Sequence, residues 1–165
     1  MLLRIGNPND GGKAMKEWSK DIEIDAPIEV VWSYLNGSSL DKMKQIMPQV
    51  VDQKPIKITD EVVGSVYRQK YKEGKRIEEY DVKTLEYSNT TDEKRLKVGF
   101  TLANMFEITA LYELKKITDS QTYFKYTTTN NPLKWFIKLF LVFASDKVVV
   151  QFTERVRKVA ETKNT

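Results

Sequence analysis

The chain has 165 residues, of which 41% are hydrophobic and 30% charged, and a net charge of +4. That is enough for one domain with a real core, and too apolar for a disordered chain. Cysteine and histidine are both absent, which excludes disulfides, thiolate metal sites, cysteine nucleophiles, ordinary zinc centres and Ser-His-Asp triads.

Any acid–base chemistry would therefore fall to carboxylates, lysines or tyrosines with displaced pKa values. No cofactor and no metal is expected. Lysines and acids are interleaved, so no nucleic-acid-binding face is marked out. No apolar run reaches the ~18–20 residues of a membrane-spanning helix.

Residues 1–14 hold a short apolar stretch (Leu2, Leu3, Ile5) followed by Gly6, Pro8, Gly11 and Gly12. The stretch is too short for a secretory signal and reads as a flexible leader to a single domain over residues 15–162. With no cysteine and no export signal, a cytoplasmic location is expected.

From Glu17 to Asp25, acidic odd positions alternate with apolar Trp18, Ile22 and Ile24, the pattern of a half-exposed strand. Ala26-Pro27 opens a helix whose Ile28, Val31, Trp32 and Leu35 share a face, and Asn36-Gly37 stops it. Ser38-Ser39 opens a second short helix with Leu40, Met43, Ile46 and Met47 in helical spacing, ended by Pro48.

Strand signals then repeat from Val50 to Thr129. Pro55 marks Val50–Thr59 as an edge strand. Ser65–Lys72 and Lys75–Ser88 form a hairpin, with the two-residue turn placed at Glu73-Gly74 so that Tyr71 faces Arg76. Leu96, Val98, Phe100 and Leu102 share one face of the next strand. Phe106, Ile108, Ala110, Tyr112 and Leu114 continue it, and Phe124 and Tyr126 mark the last strand. Asn130-Asn131-Pro132 is expected to launch a closing helix to about Glu161. Its apolar face is read as Leu133, Phe136, Ile137, Phe140, Ala144, Val148, Phe152, Val156 and Val159, and helical spacing outweighs the β-branched run Val148-Val149-Val150.

The segment Lys20-Asp21-Ile22-Glu23-Ile24-Asp25-Ala26-Pro27-Ile28-Glu29-Val30-Val31-Trp32 resembles the opening of the START-like or SRPBCC superfamily, which includes Bet v 1-like and polyketide cyclase/dehydrase-like proteins. Gly64-Ser65-Val66-Tyr67 is similar to that family's strand entry. The resemblance implies an α+β helix-grip fold: a curved antiparallel sheet of about seven strands around a long C-terminal helix, with two short helices after the first strand. It also implies an internal hydrophobic cavity, and it carries no catalytic motif.

In the hairpin register above, Tyr67, Gln69, Tyr71, Arg76, Glu78, Tyr80, Val82 and Thr84 point inward. Arg76 and Glu78 are candidate anchors for the polar end of an amphiphile, with an Arg–Glu pair at the rim as the plainer alternative. Phe100, Phe106, Tyr112, Phe124, Tyr126, Phe136 and Phe140 are expected between sheet and helix, as ordinary core or as cavity wall. The tyrosines favour a cavity, because each buried hydroxyl needs a partner and a dry core rarely holds five.

Three functions stay open. The first is binding or transport of a lipophilic small molecule between the sheet and the closing helix. The second is a cyclase- or dehydratase-like enzyme working through Glu78 and tyrosines. The third is a co-chaperone-like interaction module. The apolar helix start at Lys134, Trp135 and Lys138 could serve transient membrane contact or a homodimer.

Overall fold

The computed structural model describes residues 15–102, 106–132 and 146–162. The expected leader over residues 1–14 and the expected helix start, with Lys134, Trp135, Phe136, Lys138, Phe140 and Ala144, lie outside them.

The described elements run β1 (Lys16–Ile24), α1 (Ile28–Leu35), α2 (Leu40–Ile46), β2 (Val50–Lys57), β3 (Val66–Glu73), β4 (Arg76–Asn89), β5 (Glu93–Leu102), β6 (Phe106–Thr118), β7 (Gln121–Pro132) and α3 (Asp146–Thr162). The strands form one antiparallel sheet in the order β1-β7-β6-β5-β4-β3-β2. The first strand thus lies against the last, and β2 with its Pro55 is an edge, where a missing N–H costs no ladder bond. This is the helix-grip α+β arrangement.

Alternation along β1 buries Trp18, Ile22 and Ile24 as its sequence requires. In α1, Ile28, Val31, Trp32 and Leu35 are buried, and Gly37 ends the turn at φ +72°, a conformation that favours glycine. The Ser39 hydroxyl caps α2 by accepting from the Lys42 amide at 3.3 Å.

α3 packs on β1, β7, α1 and α2. Two polar ties fix its pitch: the Arg155 guanidinium donates to the Ile46 carbonyl that ends α2, and Glu161 accepts from the Asp25 amide. Its inward side is Val149, Phe152, Thr153, Val156 and Ala160, whereas Val148 is 49% exposed. Within α3 the buried side thus takes Val149 where the sequence spacing placed Val148. Thr153 is tolerated inside because its hydroxyl donates back to the Val149 and Val150 carbonyls.

Two other expectations are corrected. β7 does not stop at Thr129; it pairs with β6 through Asn131 opposite Glu107 and Pro132 opposite Phe106. Proline is admitted there because it stands at the strand's last position. The hairpin turn is Gly74-Lys75, with Glu73 opposite Arg76 and Tyr71 opposite Glu78. Gly74 takes φ +59° at the first central position, as a primed hairpin turn demands. The register moves by two residues, so the face of every side chain is unchanged.

A bulge at Leu85 does change faces. Thr84 pairs with Val98 and Glu86 with Lys97, leaving Leu85 unpaired. Beyond it, odd positions of β4 turn inward and Tyr87 joins the concave side. Gly99 on the neighbouring strand makes room for the bulge: a Cβ there would lie 2.8 Å from Leu85 Cδ1.

Candidate functional site

The concave side of the sheet encloses a cavity of about 210 Å³. One water needs roughly 10–15 Å³ on such a measure, and an apolar cavity of about 150 Å³ accepts a benzene ring. This space is therefore a site for a molecule rather than a packing fault.

Its floor is the sheet, from Gln53 of β2 across β3 to β6 and on to Tyr126 of β7. Its roof is the end of α1 (Leu35, Asn36, Gly37) with Met43 and Met47, and Val62 closes it from the β2–β3 loop. None of the described residues of α3 borders it. Phe152 instead supports the wall from behind, its ring 4.5 Å from Tyr126 and 5.9 Å from Tyr112, centroid to centroid.

Six of the residues singled out from sequence meet here: Tyr67, Tyr71, Tyr80, Phe100, Tyr112 and Tyr126. Tyr80 stacks on Phe100 at 4.9 Å, and Tyr112 lies nearly parallel to Tyr126 at 5.5 Å. The other candidates lie elsewhere. Arg76 is exposed at the hairpin tip, and Glu78 is half-buried opposite Tyr71 without bordering the cavity. Arg76 lies two residues nearer the hairpin tip than Glu78, beyond Tyr71, the last residue of β3 that borders the cavity. Phe124 is wholly buried in the core with Ile22 and Leu114, and Phe106 is half-buried at the start of β6. Phe136 and Phe140 lie outside the described residues.

The polar equipment of the cavity is a relay. The Tyr80 hydroxyl donates to Gln69 Oε1 at 2.7 Å, and Gln69 Nε2 donates to Gln53 Oε1 at 2.9 Å and to Met43 Sδ at 3.4 Å. Gln69 is only 7% exposed, so the relay satisfies an amide whose burial would otherwise be costly. Sequence alternation put Gln69 inside but did not mark it as functional. It missed Gln53, since β2 carries irregular pairing at both ends. Tyr87 was legible as the shift of apolar residues from even to odd positions at Leu85.

No acidic or basic side chain stands among the described residues that line the cavity. Its phenols are neutral as well. Burial pushes Tyr80 and Tyr112 far above the ordinary phenol range and Tyr71 upward too. Burial also raises Tyr126 to about 12, against the opposing hydrogen bond with Thr128.

These folded phenols hold their protons more tightly than unfolded ones, whose pKa is about 10. Their contribution to stability is complete below pH ~10 and is lost as pH climbs through the folded values. Thermal midpoints are therefore expected to hold steady from neutral pH to about 9.5 and to fall above it. Tyr126→Phe should remove ~1–2 kcal/mol of that alkaline loss, a discounted figure because its ring borders the cavity. An identical fall in both proteins would contradict the assignment.

Val62 adopts φ +68°, a conformation that strains a β-branched residue. Val62→Gly relieves that strain while deleting an apolar wall group, so stability should stay within about 1 kcal/mol of the parent. Denaturant titration checks this; a loss above ~2 kcal/mol would mean the side chain matters more than the backbone.

The structure carries the SRPBCC/Bet v 1-like fold. Solved structures similar to it include norcoclaurine synthase from Thalictrum flavum in complex with dopamine and hydroxybenzaldehyde, at 16% identity, covering 96% of this chain and 94% of that one, with TM-score 0.63. The Zhui aromatase/cyclase from a Streptomyces matches at 12% identity over 92% of this chain and 96% of that one, with TM-score 0.67. Ara h 8.0201 matches at 10% identity over 91% and 97%, with TM-score 0.63. At such identities the likeness is one of fold. No family model matches the sequence, and a comparison with curated proteins finds no match. Among the described residues, no helix is long and apolar enough to cross a membrane.

Proposed function

We propose that the chain binds or carries a lipophilic small molecule in this cavity. The observation that carries the reading is the cavity itself, about 210 Å³, walled by aromatic and aliphatic side chains with a few convergent amides and hydroxyls. The neighbour holding dopamine and hydroxybenzaldehyde supports it, because the same fold there accommodates small ring compounds.

An enzymatic role would need a proton carrier at the ligand, and the described lining residues offer only phenols. Raised pKa values keep Tyr71, Tyr80, Tyr112 and Tyr126 protonated, which leaves these four without basic character at neutral pH. Glu78, nominated for proton transfer on sequence grounds, does not border the space.

The test is native mass spectrometry of protein taken from cell extract, followed by organic extraction, with a titration of the neutral fluorophore N-phenyl-naphthylamine. A stoichiometric lipophilic species and saturable fluorescence enhancement are expected. Failure of both would end the carrier reading.

A further inference from the structure

We propose that the cavity selects uncharged ligands, with Gln53 as the donor that meets a carbonyl or hydroxyl oxygen, and that it refuses the corresponding carboxylates. This inference rests on the ligand-binding reading above and concerns the same site.

The relay has a direction. Tyr80 donates to Gln69 and Gln69 donates to Gln53, so the Gln53 carbonyl is occupied and its amide nitrogen ends the chain as a donor. That nitrogen sits beside the Gly37 turn: a Cβ built on Gly37 would lie 3.8 Å from it, and both residues line the cavity. Gln53 is half-buried on the cavity wall, and its amide N–H is a donor available to an oxygen of a molecule in that space.

Charge decides the class of ligand. A carboxylate entering the cavity would leave water for a wall with no cation among its described residues. Arg155 acts on Tyr71, but its guanidinium is held by the Ile46 carbonyl and it does not border the space. Glu73 acts on the same phenol with the opposite sign. One neutral amide donor does not offset the desolvation of an unpaired anion. A ketone, aldehyde, amide or alcohol makes the same hydrogen bond without that penalty. The volume suits one or two rings, or an aliphatic body of similar size.

Three ligands of one shape test this: naphthalene, acetylnaphthalene and naphthoate, each displacing N-phenyl-naphthylamine at neutral pH. Acetylnaphthalene is expected to bind at least about tenfold more tightly than the isosteric naphthoate, and several-fold more tightly than naphthalene. Gln53→Leu should bring the ratio of acetylnaphthalene to naphthalene affinity, measured within the same variant, down to about one. Gln53→Glu, which keeps the acceptor for Gln69 and removes the donor, should do the same if the leucine variant folds poorly. Equal binding of naphthoate and acetylnaphthalene overturns the selectivity. An undiminished ketone advantage in both variants overturns the role of Gln53. Failure of all three ligands, and of the fluorophore as well, would instead remove the carrier reading.

Discussion

Ala110→Trp is expected to abolish ligand binding, by on the order of 100-fold or more, and to leave the fold standing. Ala110 sits mid-sheet on β6, with Val98 of β5 and Thr128 of β7 on either side. It is 6% exposed and its methyl group faces the cavity between Ile108 and Tyr112. An indole there projects into empty space rather than into packed neighbours. The usual cost of overpacking a filled core, ~1–3 kcal/mol, is therefore largely avoided. The control is Ile77→Trp, which adds the same ring at a position 61% exposed on the hairpin. Fluorophore titration and thermal melts on both variants give the answer. A tryptophan at 110 that binds as well as the parent would show that ligands occupy some other place.

Much of this geometry is legible in the sequence, because it follows from periodicity. Trp18, Ile22 and Ile24 alternate, and a half-buried strand has no other way to arrange them. Ile28, Val31, Trp32 and Leu35 recur at helical spacing and all are buried. A register change of two residues in the hairpin leaves the face of each side chain as it was, since parity alone sets the face of a strand. Parity fails where a bulge intervenes: strict alternation from Tyr80 puts Tyr87 on the wrong face unless the shift of apolar residues at Leu85 is read as a bulge.

Arg76 and Glu78 show the opposite limit. Alternation assigns a side of the sheet but gives no measure of how far a cavity extends beneath a long hairpin. Gln53 and Gln69 acquire meaning only when two strands and α2 converge, a contact that one-dimensional spacing cannot express. Val148 and Val149 differ by one helical step of about 100°, which the apolar run Val148-Val149-Val150 leaves undetermined.

That last ambiguity underlies the second large effect. Phe152→Ala should destabilise the protein by ~3–5 kcal/mol, a large fraction of the ~5–15 kcal/mol that holds a domain folded. The ring is 7% exposed and lies against both Tyr112 and Tyr126, so its removal deletes two aromatic contacts and opens a void behind the wall. Collapse into that void is resisted because Val149, Val156 and Ala160 already fill the rest of the interface, with Val156 and Ala160 at 0% exposure. Val148→Ala, on the exposed side of α3, should change stability by less than about 0.5 kcal/mol. Urea titration separates the two, with midpoints that differ widely and slopes that agree. The same truncation should loosen ligand binding, since Tyr112 and Tyr126 would no longer be held in place. If Val148→Ala proved the costlier change, α3 would be rotated by one residue about its axis and the support for the cavity wall would have to be reassigned.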